Sequence, residues 1–535
     1  MNDPVATSQW QRSAGVLLHI SALPGPYPIG DFGEQAHKFV QFLNQAGMRW
    51  WQILPLQPIG HGQSPYSGMS CFGLEPLYID CDDLYQQGLL QENPRPHMTM
   101  ETSHPLADFT KARQQKYRLF QEAFTTWRNS DGHHSREFRD FCEQQAFWLN
   151  DFAHFCALSD QQGTARWYEW PEKLRQREPK ALNDSADRLA PQILYHKFLQ
   201  FIAHKHWARL QTTCRQEGVR IMGDLPIYPA LASCDVWVQP QQFHLDPDSL
   251  QPTHVAGVPP DFYNENGQKW GNPLYDWEAM ADNDFKWWRQ RFIHQLQHCD
   301  ATRLDHFIGF YHYWSVPSED KNAKNGQWVP AKGGELLQRL QDDLPHLSIV
   351  AEDLGDIIPE VTALREEFGL PGMKVLHFGF GPMGDAAHKL HAFNHDDVAY
   401  PGTHDNNTTR GWFEDLAVNE PDVALEVCRY FQSSPDSITE SVIQHLYSSV
   451  ANLIILPMQD ILDLDATARF NTPGTNDHNW QWRLNNQNLT PAAQKLLHWG
   501  RLYERVPTKK PAKSSTGKPT SRSTAARAPN SLIYE

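Results

Sequence analysis

Phe285–His306 reads FKWWRQRFIHQLQHCDATRLDH. Its first part, to about His298, is rich in Trp, Phe and Arg and reads as a helix. Its last part, Ala301–Asp305, is a short strand that ends on an acid. Helix, tight connection, buried strand and then an acid is the repeating unit of a parallel sheet. Working outward, the same unit recurs. Strands are expected at Gly15–Ile20, Trp50–Leu54, Arg220–Leu225, Ser348–Glu352, Met373–Leu376, Val398–Tyr400 and Leu453–Leu456. Helical patterns stand between them. Ala36, Phe39, Val40, Leu43 and Ala46 share one face, with Gly47 as the stop. Ile438, Val442 and Leu446 keep register in the helix before the last strand. Eight strands alternating with helices predict a closed TM-type (β/α)8 barrel rather than an open sheet.

The 535 residues exceed a minimal barrel. Residues 57–195 and 228–285 are too long for simple connections and are expected to form inserted subdomains over the C-terminal face. The barrel with its insertions is expected to fill residues 1–505, with no separate C-terminal β domain. Residues 506–535 are basic and rich in Pro, Ser, Thr and Lys, and are expected to form a disordered tail.

Composition narrows the function. The net charge is −16, which disfavours nucleic acid and anionic membranes as partners. No run approaches the ~20 apolar residues of a membrane span. Val16–Ile20 is too short and lacks the basic flank of a signal peptide. The eight cysteines form no CxxC pair, and no Cys/His cluster has zinc spacing. They read as reduced thiols in a cytoplasmic protein. The 19 Trp residues offer flat faces on which sugar rings stack, although most should be core.

Barrel chemistry sits at the C-terminal ends of strands. Here Asp224, Asp305, Glu352 and Asp405 occupy or closely follow such ends. An acid at the end of an apolar strand is costly to desolvate unless it is paired or used. Three carboxylates on different strands, without a phosphate loop, fit glycosidic bond cleavage: one acid protonates the leaving oxygen while a carboxylate attacks the anomeric carbon. Arg303 lies two residues before Asp305, on the same side of the strand, and would keep it ionised. Glu352 must keep its proton, so neighbouring acids should raise its pKa. His306 and His404 can donate hydrogen bonds to sugar hydroxyls.

Longer motifs surround these residues: IGDFGEQAHKFV (Ile29–Val40), WWQILPLQP (Trp50–Pro58), SPYS (Ser64–Ser67), GDLPIY (Gly223–Tyr228), RLDHFIGF (Arg303–Phe310), AEDLGDIIPEV (Ala351–Val361) and PGTHDNNTTRGW (Pro401–Trp412). With these, the chain resembles the amylomaltase (4-α-glucanotransferase, disproportionating enzyme) family, a relative of the α-amylases, from about Gly15 to Arg483. The resemblance implies Asp305 as nucleophile and Glu352 as general acid/base, with Asp405 stabilising the oxocarbenium-like transition state through the 2- and 3-hydroxyls. It implies substrate contacts from Tyr66, Asp224, Asp261, Trp270, Arg303, His306, His404 and Asn471, and a Val255–Asn264 loop over the cleft. It implies no cofactor and no metal. Donors and acceptors would be maltooligosaccharides and α-1,4-glucans, with glucose as a further acceptor. The chain departs from the family at Gly381-Pro382, where relatives commonly carry an acid.

Three rival readings remain at this stage. An amylase-type hydrolase would use the same carboxylates. A metal-dependent barrel hydrolase would need paired histidines near a strand end, where strand one offers only His19. A non-catalytic glucan-binding protein would have no need of all three acids.

Overall fold

A computed structural model describes residues 10–60, 62–97, 106–260, 264–344, 346–355, 357–475 and 477–506. Eight parallel strands form the central sheet: β1 (Ser13–Leu17), β2 (Trp50–Gln52), β3 (Arg220–Leu225), β4 (Ala301–Leu304), β5 (Ile349–Ala351), β6 (Met373–Val375), β7 (Val398–Tyr400) and β8 (Leu453–Pro457). Their order around the ring is β6-β7-β8-β1-β2-β3-β4-β5. Each expected strand is present, several trimmed by a residue or more at an end. Every residue of β1 and β8 is buried, as parallel strands covered on both faces require.

The ring closes between β5 and β6 without a full ladder. The Ala351 amide donates to the Pro371 carbonyl at 2.9 Å. Just beyond, the Asp353 carboxylate accepts from the Met373 amide at 2.7 Å and pairs with Arg365 at 3.1 Å. A Cβ on Gly372 would sit 2.4 Å from the Asp353 carboxylate, so only glycine allows this approach.

Helices cover the outside. Glu34–Gln45 buries Ala36, Phe39, Val40, Phe42 and Leu43 and stops at Gly47, whose φ of 72° is left-handed. Between β2 and β3 lie the helices Phe109–Asn129, Arg136–Gln144 and Ala146–Gln162, then Ala190–Gln216, which feeds β3. A second, antiparallel sheet joins His254–Val258 and Gln268–Pro273 to His312–Pro317 and Gln327–Pro330. The reading from sequence anticipated none of these four strands; the last two interrupt the β4-to-β5 connection. Val255–Val258, expected as loop, is therefore strand, held by pairing on both edges. No described helix is long and apolar enough to cross a membrane. All eight cysteines are free thiols.

Residues 507–535 lie outside the described residues. Val506, expected to begin the tail, is instead tied down, its amide donating to the Gly500 carbonyl. Beside it Arg505 is fully buried. Its guanidinium donates to the carbonyls of Tyr447 (2.9 Å), Ser13 (3.1 Å), Ala451 (2.9 Å) and Ser449 (3.0 Å), joining the chain's last described helix to the start of β1. An alanine there would strand these acceptors. Arg505→Ala should lower the unfolding free energy by about 3 kcal/mol or more. A melt followed by circular dichroism checks this; an unchanged midpoint contradicts it.

Candidate active site

The site starts from strand register. Asp224 on β3 lies directly opposite Arg303 on β4, and Arg303 opposite Val350 on β5. Side chains alternate along a strand, so Arg303 and Asp305 face the same way, as do Val350 and Glu352. The register therefore gathers Asp224, Arg303, Asp305 and Glu352 at one mouth. The Arg303 side chain is only 5% exposed. Its Nη1 contacts the Asp224 carboxylate at 2.9 and 3.0 Å and the Asp305 Oδ1 at 2.8 Å, while Nη2 lies 3.7 Å from the Glu352 Oε2.

Asp305 is the more open carboxylate, its side chain 26% exposed against 13% for Glu352. Glu352 accepts the His306 amide at 2.7 Å and the Leu354 amide at 3.2 Å. The first of these bonds needs His306 at a φ of 52°, a left-handed conformation of the kind that collects at functional sites. Burial pushes the Glu352 carboxyl up to about 8; Arg303 opposes this and Asp305 adds to it. The upward direction matches the expectation, but burial rather than the neighbouring acids is the larger cause. Burial also lowers His306, to about 4, and His404, so both rings are neutral near pH 7.

The opposite wall comes from β7 and the stretch after β8. Tyr66, after β2, donates its hydroxyl to Asp224 at 2.9 Å. That single proton being spent, the His404 Nε2–H must donate to the Tyr66 oxygen, also at 2.9 Å. The two rings stack 5.4 Å apart. His404 Nε2 lies 3.3 Å from Asp405. Asn471 donates to the same Asp405 Oδ1 at 2.6 Å. Trp270 stands edge-on to His306 with centroids 4.8 Å apart and is 37% exposed, so part of its ring is free for a ligand.

All but one of the site residues expected from sequence therefore join one connected cluster. Asp261 lies outside the described residues, as does part of the Val255–Asn264 loop. His19 bonds Tyr78 at 2.8 Å and is buried, a structural role. Two participants escaped the reading. Arg469 donates to the backbone carbonyls of Asp405 (2.7 Å) and Asn471 (2.8 Å). Its place two residues before Asn471 was the available signal. Trp480 packs against both Tyr66 and His404, and nothing local in the sequence marks it.

A buried neutral carboxyl beside an arginine-bound carboxylate can combine proton donation with nucleophilic attack. Comparisons with known proteins place the chain in a family. Residues 18–490 match the family model described as 4-alpha-glucanotransferase. The 4-alpha-glucanotransferase of Synechocystis sp. is 42% identical over 482 residues, 88% of this chain and 94% of that protein. The 4-alpha-glucanotransferase of Thermus thermophilus is 40% identical over 490 residues, 90% and 96% respectively. Among solved structures, the amylomaltase from Streptococcus agalactiae in complex with acarbose superposes with a TM-score of 0.89 at 35% identity, covering 93% of this chain and all of that one.

The state of Glu352 sets a pH dependence. Its acid form is present below about pH 8 and is lost as pH rises through that value. If Glu352 is the proton donor, kcat/KM should show an alkaline limb with a midpoint near pH 8. A profile that stays flat well beyond that point contradicts the assignment.

Proposed function

Since the chain belongs to the 4-alpha-glucanotransferase family and is an enzyme of that class, we propose that it transfers α-1,4-glucan segments by a retaining double displacement carried by Asp305, Glu352 and Asp405. The observation that carries this is the pairing of Asp305 with a buried Glu352, whose carboxyl is pushed up by burial, across one Arg303. An Asp305 carboxylate oxygen attacks the anomeric carbon as the glycosidic C–O bond breaks. The leaving oxygen takes its proton from Glu352. In the second half Glu352, now a carboxylate, removes the proton of an acceptor hydroxyl, whose oxygen displaces Asp305. Asp405, oriented by Asn471 and His404, would hold the ring hydroxyls and favour the positive charge that develops at the anomeric centre.

Asp305→Asn, Glu352→Gln and Asp405→Asn should each lower kcat by about 10³-fold or more with the fold retained. Tyr66, Arg303, His306 and His404 are the remaining proposed contacts of the same glucose unit, with Asp224, whose side chain is fully buried, acting through Arg303 and Tyr66. Asp261 is proposed on the resemblance alone. The acarbose bound by the Streptococcus agalactiae amylomaltase supports an α-glucan ligand in this cleft. Maltooligosaccharides are the proposed donors, and maltooligosaccharides or glucose the acceptors. The composition supports a cytoplasmic setting in which residues 507–535 are dispensable for catalysis.

Transfer in water requires that a bound acceptor beat the solvent. A positioned hydroxyl can act at an effective molarity of about 10⁵ M or more. Trp270, part-exposed beside His306, is the proposed platform for that acceptor. With maltotriose the enzyme should yield glucose plus a ladder of longer maltooligosaccharides while total reducing ends stay nearly constant. Trp270→Ala should raise the hydrolysed share. Reducing ends that climb in step with maltotriose loss in the wild type would make the protein a hydrolase.

A further inference from the structure

On the outer wall of the barrel three histidines converge. His204 lies on the helix Ala190–Gln216, and His294 and His298 on the helix Lys286–His298. We propose that His204, His294 and His298 form a binding site for a borderline divalent cation, zinc, that clamps these two helices together behind β3 and β4.

Each ring offers a nitrogen, and the three nitrogens lie within 4.8 Å of one another. Tetrahedral zinc with imidazole donors at about 2.0–2.1 Å sets them about 3.3 Å apart, so small side-chain rotations would close the site. The tautomers are already arranged. His204 Nδ1 lies 2.8 Å from the Gln200 carbonyl, and His294 Nε2 lies 2.8 Å from the Phe72 carbonyl. A carbonyl only accepts, so both ring nitrogens carry the proton, and the neutral rings keep bare lone pairs on His204 Nε2 and His294 Nδ1. Those two atoms, and Nδ1 of His298, are buried without a hydrogen-bond partner. Backbone carbonyls that fix the far nitrogen are the usual support of metal-bound histidines.

The surroundings favour a metal over a proton. Burial drives His204 to about 3 and His294 to about 4, and puts His298 well below its ordinary value, so three neutral donors coexist. Aromatic rings enclose them: Trp148 stacks on His204 at 5.8 Å and Phe72 stands edge-on to His294 at 5.5 Å. A single water would satisfy all three nitrogens only with the His298 proton on Nδ1, whereas zinc takes the other tautomer of that ring. An all-nitrogen set disfavours calcium and magnesium, which take oxygen ligands. Three protein donors leave a fourth position to water, and a cavity lined in part by Phe72, Trp207, His294 and His298 adjoins the site. Two of the ligands stand in a His-x3-His spacing on one helix, but the third comes from far earlier in the chain. The site is therefore invisible to a search for local zinc motifs.

The test uses the full chain. Protein loaded with zinc and dialysed against zinc-free buffer should retain an equimolar amount by mass spectrometry. Its thermal midpoint should stand several degrees above that of chelated protein. His204→Gln and His298→Gln should lose both effects, whereas a variant changed at His133 and His134, in the exposed cluster with Asp131, should keep them. Should the triad variants misfold, cobalt added to the wild type replaces them as the readout, the expected result being the intense visible bands of a four-coordinate site. Zinc held equally by the triad variants, no retained zinc and no midpoint shift, or only weak six-coordinate cobalt bands would each overturn the proposal.

Discussion

One buried guanidinium organises this molecule. Arg303 reaches Asp224, Asp305 and Glu352 from a position almost sealed from solvent. Removing one partner from such a group strands a charge in a poor dielectric, which costs about 3–5 kcal/mol in buried pairs generally. The arrangement is tolerable because the strands preset it. Asp224 and Arg303 are register partners, so their pairing is formed by the same hydrogen bonds that close the sheet. Burial also pushes both the Glu352 and the Asp224 carboxyls upward, which lightens the negative charge the site must hold.

From that centre the roles divide by exposure. The buried Asp224 holds the cation and accepts the Tyr66 hydroxyl, which leaves it no free face for chemistry. Asp305, more open and tethered by one nitrogen, is free to react. Glu352 is gripped by two backbone amides, so its oxygens are fixed while its proton is exchangeable. Three carboxylates of similar intrinsic acidity thus come to differ in exposure, partners and acidity through their surroundings alone, which is the basis of the roles proposed for them.

Much of this could be read in the sequence, for a physical reason. Strands buried on both faces must be nearly continuous apolar runs, so Ile349–Ala351 and Leu453–Pro457 stand out, and polar residues where such runs end are conspicuous. What was hidden depends on contacts between distant segments. The strands His312–Pro317 and Gln327–Pro330 gain their place from pairing with His254–Val258 and with each other, not from their own pattern. Trp480 and Arg469 enter the site because the chain after β8 folds back over it. The weight of burial in the Glu352 acidity likewise requires the packed cleft, since spacing reveals neighbours but not solvent access.

The closure between β5 and β6 ties mechanical integrity to chemistry. Glu352 is followed at once by Asp353, the residue that takes the Met373 amide and Arg365 across the gap. The clasp of the ring and the proposed proton donor are therefore neighbours on one backbone. A fluctuation that parted the clasp would swing the Glu352 oxygens off the amides that aim them, while most of the ladder stayed intact. Opening at this one joint is therefore a shorter route to misaligned Glu352 oxygens than the unfolding of the whole barrel.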